Sequence, residues 1–450
     1  MAYFISIVLA VCVGLFSPPK SKGEIELLAE IVTKVNKEDL EASIKKGSYR
    51  GEAGLLRLRP EIAKQFGLKV FFSEAYEEAD TLNRQTGQLK ARIQELLSEQ
   101  PSQRLHKRLA ELAALYNQYR SWAKERYLLY REELEGAEDQ RMEEGLCAQL
   151  MKRLLSNSLS LHSQRLRDSL AHFYNMCHGL KPKRFPLSVE NVTFVNRVVS
   201  RLQQMAKGTG KLKPYNLDRQ RPQKEWLGVS DWKSALDENA RVYGQELEKL
   251  IVSNPNGLDP LFVMAVMKRE SSFDHEAVSA VGAVGLMQIM PQTAKALGLR
   301  FIYEPDYLEE ARYLLAHERK LRAQAWAVIE DIRSKDQVEL ASRAHLLMKE
   351  AFEAKEKRVR LFQRYKKGVR SEGRDERLNV QKAIMAGIKY LCKLFRQFKG
   401  DLSLVLAAYN AGPSRVKKYG GIPPFEETVT FRNVVLGYYN EYLKRLDSDD

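Results

Sequence analysis

Three places in the second half of the chain combine polar side chains with the ends of predicted helices. Glu270 follows the apolar run Leu261–Met267, Gln288 lies in a stretch punctuated by glycine, and Tyr409-Asn410 comes just before Gly412-Pro413. At the C-terminal end of a buried helix, both the helix dipole and desolvation disfavour a charged carboxylate. Such a carboxyl group keeps a proton near neutral pH and can act as a general acid. On this segment alone, a solvated glutamate at a frayed helix end fits equally well.

The elements that position these residues have clear boundaries in the sequence. Asp259-Pro260 starts the first helix, with a capping carboxylate and a proline in the first turn. The glycines of the segment 279–291 let the backbone turn tightly and approach a ligand closely, and a new helix begins at Pro291. Asp401 caps the apolar helix that ends at Tyr409-Asn410. This placement directs the two side chains into a cleft rather than a core, and the Gln288 amide can bond sugar hydroxyl or acetamido groups.

Three segments, in this order, resemble the catalytic region of the soluble lytic transglycosylase family (SLT domain) of the lysozyme-like superfamily. The resemblance covers about 233–300 and 376–445, and three ordered motifs are far more specific than one short motif. The segments that carry it are Glu270–Phe273 with Ala277–Ala294, Ala407–Gly412, and Ile422–Thr428.

This resemblance implies a mainly α, lysozyme-like catalytic domain whose cleft binds alternating N-acetylglucosamine (GlcNAc) and N-acetylmuramic acid (MurNAc). Glu270 would protonate the glycosidic oxygen after MurNAc, and the MurNAc acetamido oxygen would close on the anomeric carbon. Glu270 would then act as a base on the 6-hydroxyl of the sugar and leave a 1,6-anhydro end. No second carboxylate at a suitable spacing is evident, and the mechanism that the resemblance implies is substrate-assisted, which would be an exception to the two-carboxylate scheme.

The resemblance also implies roles for the other site residues. Ser279 and Gln288 would orient the acetamido group, and Tyr409 would support the oxocarbenium-like centre. Asn410 and Glu427 would serve cleft structure or contact with the stem peptide. The residues expected to have a structural role at the site are Ser271, Gly282, Gly285 and Met287. We expect no cofactor and no metal, because the histidines are scattered and no HExxH motif occurs.

The chain departs from the family pattern in two places. Arg432 follows Phe431 where the family usually carries Tyr followed by Val, which puts a minor hydroxyl contact in doubt. A charged helical insertion at about 301–373 separates blocks that nearly adjoin in the family. We interpret the insertion as a helical hairpin that narrows one end of the cleft or docks a partner.

The remaining sequence predicts four regions. We expect residues 1–22 to be a signal peptide or an N-terminal membrane anchor. Their apolar run is too short to span a membrane comfortably, but its length suits the core of a signal peptide. Residues 23–180 form a helical, coiled-coil-like region, with a hairpin broken at Pro101 and a third helix from Gln140 to Met176. Residues 181–230 are a linker or irregular lead-in. Residues 231–450 form the catalytic domain with its insertion.

Charge and cysteine content narrow the partners. The net charge of +15 and the pI near 9.4 favour an anionic partner, such as a membrane surface or an acidic wall polymer. Nucleic acid is disfavoured, since no basic tract interleaved with aromatic residues is present. Cys147 and Cys177 are expected to be buried thiols. The resemblance implies a peptidoglycan strand as the partner, in the periplasm or cell envelope. We also expect an envelope protein partner for the helical regions.

Two other functions fit the same residues. A goose-type lysozyme mechanism would use water in place of the 6-hydroxyl. Alternatively, the chain is an envelope scaffold whose domain only binds glycan.

Overall fold

The structure is a computed structural model that describes residues 22–163, 165–181, 183–209, 218–220, 230–252 and 257–448. These residues are mainly helical, and within the ranges given no strand occurs, only isolated bridges such as Val284 with Ile289. The prediction of a mainly α fold is confirmed. The predicted N-terminal signal or anchor lies almost wholly outside the described residues. Among the helices of the described part, none is both long and apolar enough to cross a bilayer.

The helices of the N-terminal half are α1 (Lys22–Lys45), α2 (Pro60–Gln65), α3 (Glu74–Leu96), α4 (Gln103–Leu134), α5 (Glu144–Leu161), α6 (Leu166–Cys177) and α7 (Val192–Thr209). Those of the C-terminal half are α8 (Glu238–Val252), α9 (Pro260–Ser271), α10 (Pro291–Ala296), α11 (Tyr307–Asp331), α12 (Val338–Glu372), α13 (Val380–Gln397), α14 (Leu402–Ala411), α15 (Pro413–Lys418) and α16 (Glu426–Ser448). Short 3₁₀ turns precede α5, α8 and α13.

The chain divides into two compact units. The first unit comprises the residues up to Val35, Leu150–Glu304, and the residues from Lys366 onward. The second unit comprises Asn36–Gln149 and Pro305–Tyr365. The second unit therefore contains the predicted N-terminal hairpin α3–α4 together with most of the predicted insertion.

In the second unit, the two hairpins α3–α4 and α11–α12 share one apolar core. Leu109 and Ala113 of α4 belong to the same hydrophobic cluster as Ile329 at the end of α11 and Ala341 at the start of α12, and all four are fully buried. Burial of this kind stabilises a helix bundle far more than helix propensity does. The apolar face of the insertion is thus covered by the hairpin of the N-terminal half.

Several details differ from the sequence-based expectation. The third helix is broken into α5 and α6, with Ser163 in a left-handed conformation at φ 51° between them. The segment 181–230 contains the helix α7 and is therefore not wholly irregular. On α4, Tyr116 and Tyr127 are buried as expected for core residues, but Trp122 is exposed. Cys147 and Cys177 are buried and free.

Candidate active site

Helix α9 presents Glu270 at its last turn. Its first eight residues, 260–267, are all buried. Asp259 caps the helix by accepting a hydrogen bond from Leu261 N, and its second carboxylate oxygen accepts one from Tyr439 Oη at 2.7 Å. The helix ends at Ser271, because Ser272 adopts a left-handed φ of 51°. The chain is thereby turned away just after the carboxyl-bearing residue.

The carboxyl group of Glu270 is desolvated although the residue keeps some exposure. Burial raises its pKa to about 8, and the negative charge of Glu427 acts in the same direction. The guanidinium group of Arg269 opposes these effects only in part. The carboxyl group is therefore mostly protonated at neutral pH, as a general acid requires.

A tight turn at 282–289 faces this helix end. Ser271 Oγ donates to Leu286 O at 2.9 Å and so ties the end of α9 to the turn. Gly285 has a φ of +80°, and a Cβ atom at this position would lie 1.9 Å from Arg377 O. Gly282 also has a positive φ, of 92°. Both glycines are needed by the backbone, so the structural roles predicted for them have a physical basis.

Ser279 and Gln288 use much of their hydrogen-bonding capacity within the loop. Ser279 Oγ accepts from Ala283 N at 2.9 Å, so its hydroxyl hydrogen stays available. Gln288 adopts a left-handed φ of 44°, and its Nε2 donates to Ala277 O and Gly285 O. The amide oxygen of Gln288 is then the group that can accept a hydrogen bond from a ligand. The acetamido contacts expected of both residues stay predictions.

Tyr409 and Asn410 lie at the end of α14, as their sequence predicts. Tyr409 Oη donates to Met287 O at 2.7 Å, which joins α14 to the turn. Burial and the nearby charge of Glu270 raise the pKa of the Tyr409 hydroxyl well above its usual value. Asn410 Oδ1 accepts from Thr428 Oγ1 at 2.8 Å, next to Glu427 at the exposed start of α16. The site residues thus come from three helices and one turn.

Met287 fills the space beside a glycine of α13. A Cβ atom added at Gly387 would come within 2.4 Å of the Met287 side chain. Close approach of this helix to the turn therefore requires glycine at that position. The sequence alone gave no reason to single out Gly387.

Arg377, which was not predicted from the sequence, supports the turn 282–289 through its guanidinium group. Its side chain is fully buried, and its Nη1 donates to Gly282 O and Ile289 O at 3.2 and 3.0 Å. Asp375 neutralises it through two oxygens, at 3.0 Å from Nε and 2.6 Å from Nη2. This bidentate, charge-assisted pair fixes the loop that carries Gln288.

The unusual Arg432 is not at the surface. It is buried, and its guanidinium group contacts Asp168 at 2.8 Å and Asp218 at 2.6 Å. The adjacent Phe431 stacks on Tyr409 with ring centroids 6.2 Å apart. Arg432, which departs from the family pattern, thus forms buried ion pairs next to the residue that packs on Tyr409. In the part of the chain that the structure describes, no group of three or more His, Cys, Asp or Glu side chains is arranged to hold a metal ion.

A known domain family matches two segments in the C-terminal half of this chain. The family of the transglycosylase SLT domain matches residues 252–312 and 347–430. A protein of Enterobacteria phage PRD1 named transglycosylase is 52% identical over 48 residues, which are 11% of this chain and 18% of the phage protein. The chain thus matches less than a fifth of that relative's length.

Two solved structures are similar to this chain at low sequence identity and low TM-score. The lytic transglycosylase Slt of Pseudomonas aeruginosa, in an inactive mutant, is 17% identical, with a TM-score of 0.28 over 96% of this chain and 58% of that chain. The 70-kDa soluble lytic transglycosylase of Escherichia coli is 16% identical, with a TM-score of 0.28 over 94% of this chain and 72% of that chain. The resemblance of the motifs to the transglycosylase SLT domain family is confirmed by the domain match, which covers residues 252–312 and 347–430 of this chain.

Proposed function

We propose that the chain is a peptidoglycan lytic transglycosylase that cleaves the β-1,4 bond between MurNAc and GlcNAc and leaves a 1,6-anhydroMurNAc end. The observation that supports this most directly is the desolvated carboxyl group of Glu270, whose pKa is raised to about 8. It lies at a helix end that contacts the turn of Gln288 and comes within electrostatic reach of Tyr409.

In the proposed reaction, protonated Glu270 transfers its proton to the glycosidic oxygen as the bond to C1 of MurNAc breaks. The acetamido oxygen of the same sugar forms a bond to C1 and carries the positive charge that develops. The Glu270 carboxylate then removes the proton from the 6-hydroxyl, whose oxygen displaces the acetamido oxygen at C1. Glu270 ends protonated again, and no water is consumed.

Hydrolysis of the goose-lysozyme type is the nearest alternative. Water would take the place of the 6-hydroxyl, so the product would carry a reducing end that is heavier by one water. An inverting two-carboxylate scheme would need a second group as the base, and Glu427 is the carboxylate whose charge acts on Glu270. Glu427 is exposed, which favours a role in contacting the substrate over a role as an essential base.

A glycan-binding scaffold without catalysis is the alternative from another class. Desolvating a carboxyl group costs free energy. A protein that only binds glycan gains nothing in return for that cost, because binding does not require a proton donor in the cleft. The raised pKa of Glu270 therefore favours the enzyme. The envelope location and the envelope protein partner stay predictions, supported by the net charge of +15.

Purified protein incubated with peptidoglycan sacculi provides the test. We expect products with anhydro ends in the mass spectrum, and we expect Glu270→Gln to abolish turnover while binding to sacculi persists. Glu276→Gln is the matched control, because Glu276 is an exposed glutamate a few residues downstream and should leave turnover unchanged. Reducing ends in the products would establish hydrolysis instead, and wild-type turnover by Glu270→Gln would refute the mechanism.

A further inference from the structure

The Asp375–Arg377 pair that supports the active-site turn has a counterpart in the N-terminal half. Arg141 is also buried, and its Nη1 donates to Gly51 O and Leu58 O, each at 3.0 Å. Asp139 neutralises it through two oxygens, at 2.9 Å from Nε and 2.7 Å from Nη2. The bonds that Arg377 makes to the turn 282–289 are thus repeated by Arg141 on the turn 51–58.

The two turns agree in backbone detail. A Cβ atom at Gly54 would lie 1.8 Å from Arg141 O, just as one at Gly285 would lie 1.9 Å from Arg377 O. Arg57, the counterpart of Gln288, has the same rare left-handed conformation, with a φ of 53°. Each of the two positions is followed by a residue in an antiparallel bridge across its turn.

The sequence around the turns repeats as well. Of the residues 52–68 and 283–299, seven pairs are identical at one fixed separation along the chain. They are Gly54/Gly285, Leu55/Leu286, Pro60/Pro291, Ala63/Ala294, Lys64/Lys295, Gly67/Gly298 and Leu68/Leu299.

The similarity continues through the rest of the two halves. Helices α5 and α13 both have 18 residues, and each follows its Asp-x-Arg turn. Tyr174-Asn175 near the end of α6 matches Tyr409-Asn410 at the end of α14. The run Glu190-Asn191-Val192-Thr193-Phe194-Val195-Asn196 matches Glu427-Thr428-Val429-Thr430-Phe431-Arg432-Asn433 at five of seven positions.

A hydrogen bond supports this last alignment. Asn191 Nδ2 donates to Asn175 Oδ1 at 2.9 Å, as Thr428 Oγ1 donates to Asn410 Oδ1 at 2.8 Å. Equivalent sequence positions therefore make equivalent contacts, which chance similarity in helical proteins does not produce.

From these repeats we infer that residues 24–209 are a second copy of the fold of residues 259–448, and that this copy is catalytically silent. The chain is then an internal duplication with one working active site.

The acid is missing from the N-terminal copy. Asn36 Nδ2 donates to Leu55 O at 2.8 Å, in the way that Ser271 Oγ donates to Leu286 O. Asn36 therefore stands where Ser271 stands, and the residue before it, Val35, stands where Glu270 stands. Val35 is fully buried and has no proton to give.

The loop of Ser279 is missing too. Helix α1 continues past Asn36 to Lys45, whereas α9 ends at Ser271. Leu40 and Ile44 of this extension pack against an aromatic cluster that includes Tyr127 and Tyr130. A helix in place of the open loop leaves this copy without the segment expected to orient an acetamido group.

The two copies contact each other as the subunits of a symmetric dimer do, through the same elements in both directions. On the hairpins, Asn117 of α4 donates to Ile329 O and Ile332 O at the end of α11, and His345 of α12 contacts Glu99 O just beyond α3 at 3.0 Å. These contacts join equivalent elements rather than equivalent residues.

The pattern recurs in the first unit. Asn196 of α7 donates to Ile422 O, and the equivalent residue Asn433 of α16 donates to Leu187 O, both at 2.8 Å. The two copies thus contact each other reciprocally in this unit as well.

Equivalent arginines provide a matched test in the full-length protein. Lysine keeps the charge but loses the planar fork that bonds two carbonyl groups. We expect Arg377→Lys and Arg141→Lys to lower the melting temperature by similar amounts. Only Arg377→Lys should then lower kcat on sacculi at 20 °C, by about tenfold or more, because it displaces the turn of Gln288. Arg141→Lys should leave kcat and KM within about twofold of wild type.

An equal loss of kcat in both variants, at a temperature where both are folded, would refute the inference that the N-terminal copy is catalytically silent. A crystal structure of the wild-type protein tests the duplication without reference to activity. We expect 51–68 with 139–177 to superpose on 282–299 with 375–412, and failure of the two turns to superpose would refute it. Should the wild type show no turnover at all, the proposed function fails while the duplication remains open to this second test.

Discussion

At the scale of single residues, the position of one proton determines what the site can do. In the proposed reaction the protonated form of Glu270 is the acid, so kcat/KM should be constant below its pKa of about 8 and fall as pH rises through it. The raised pKa follows mainly from burial, and the charge of Glu427 adds to it.

Glu427→Gln tests this electrostatic contribution. Removing the negative charge lowers the pKa of Glu270, so the fall in kcat/KM should move to lower pH, while kcat near pH 6 stays within a few-fold of wild type. Glu426→Gln is the control, since its exposed carboxylate is not among the groups that shift Glu270. A complete loss of activity at every pH would instead mark Glu427 as a catalytic carboxylate.

The position of Glu270 at the end of a buried helix could be predicted from sequence, because an apolar helix and a helix end are both local signals, whereas its role as an acid was inferred from the family resemblance. Arg377 could not be predicted, because its role depends on carbonyl groups 95 and 88 residues away along the chain. The use of the Gln288 amide nitrogen within its own loop was likewise invisible, since it follows from a left-handed φ at a residue other than glycine.

At the scale of elements, the turn 282–289 depends on glycine for two separable reasons. At Gly285 the positive φ is combined with a backbone oxygen 1.9 Å from the added Cβ, whereas Gly298, with a φ of +96°, has nothing within 4 Å. We expect Gly298→Ala to cost roughly 1 kcal/mol of stability from φ alone and Gly285→Ala to cost more than about 3 kcal/mol. Urea unfolding of both variants measures the difference, and equal costs would show that the turn shifts without strain.

The hairpin pair offers a second comparison. Asn117→Leu removes two hydrogen bonds to the carbonyl groups that end α11, so we expect a loss of roughly 1–3 kcal/mol in stability. Gln118→Leu changes the next residue of α4, which is exposed, and should cost less than about 0.5 kcal/mol. Equal unfolding midpoints for the two variants would contradict the bridging role of Asn117.

The apolar face of α4 and the hairpin that α4 forms with α3 were both predictable. The first follows from the helical period of the apolar residues, and the second follows from Pro101, which separates the two helices. The break between α5 and α6 was not, because no glycine or proline marks it and Ser163 makes the turn.

At the scale of the whole molecule, the repeat was present in the sequence but diluted by exchanges among apolar residues. The five identities among seven positions around Thr193 and Thr430 were its clearest signal. The contacts that join the copies carry no such signal, since Arg432 and Asp168 pair across 264 residues.

Because both hairpins belong to one polypeptide, their association does not depend on protein concentration in the way that the association of a two-chain dimer does. A dimer of separate chains dissociates on dilution, and its stability depends on protein concentration. Two hairpins in the same chain experience an effective concentration in the millimolar range, whatever the protein concentration. The hairpin core that includes Leu109 and Ile329 thus stays assembled at any dilution of the protein.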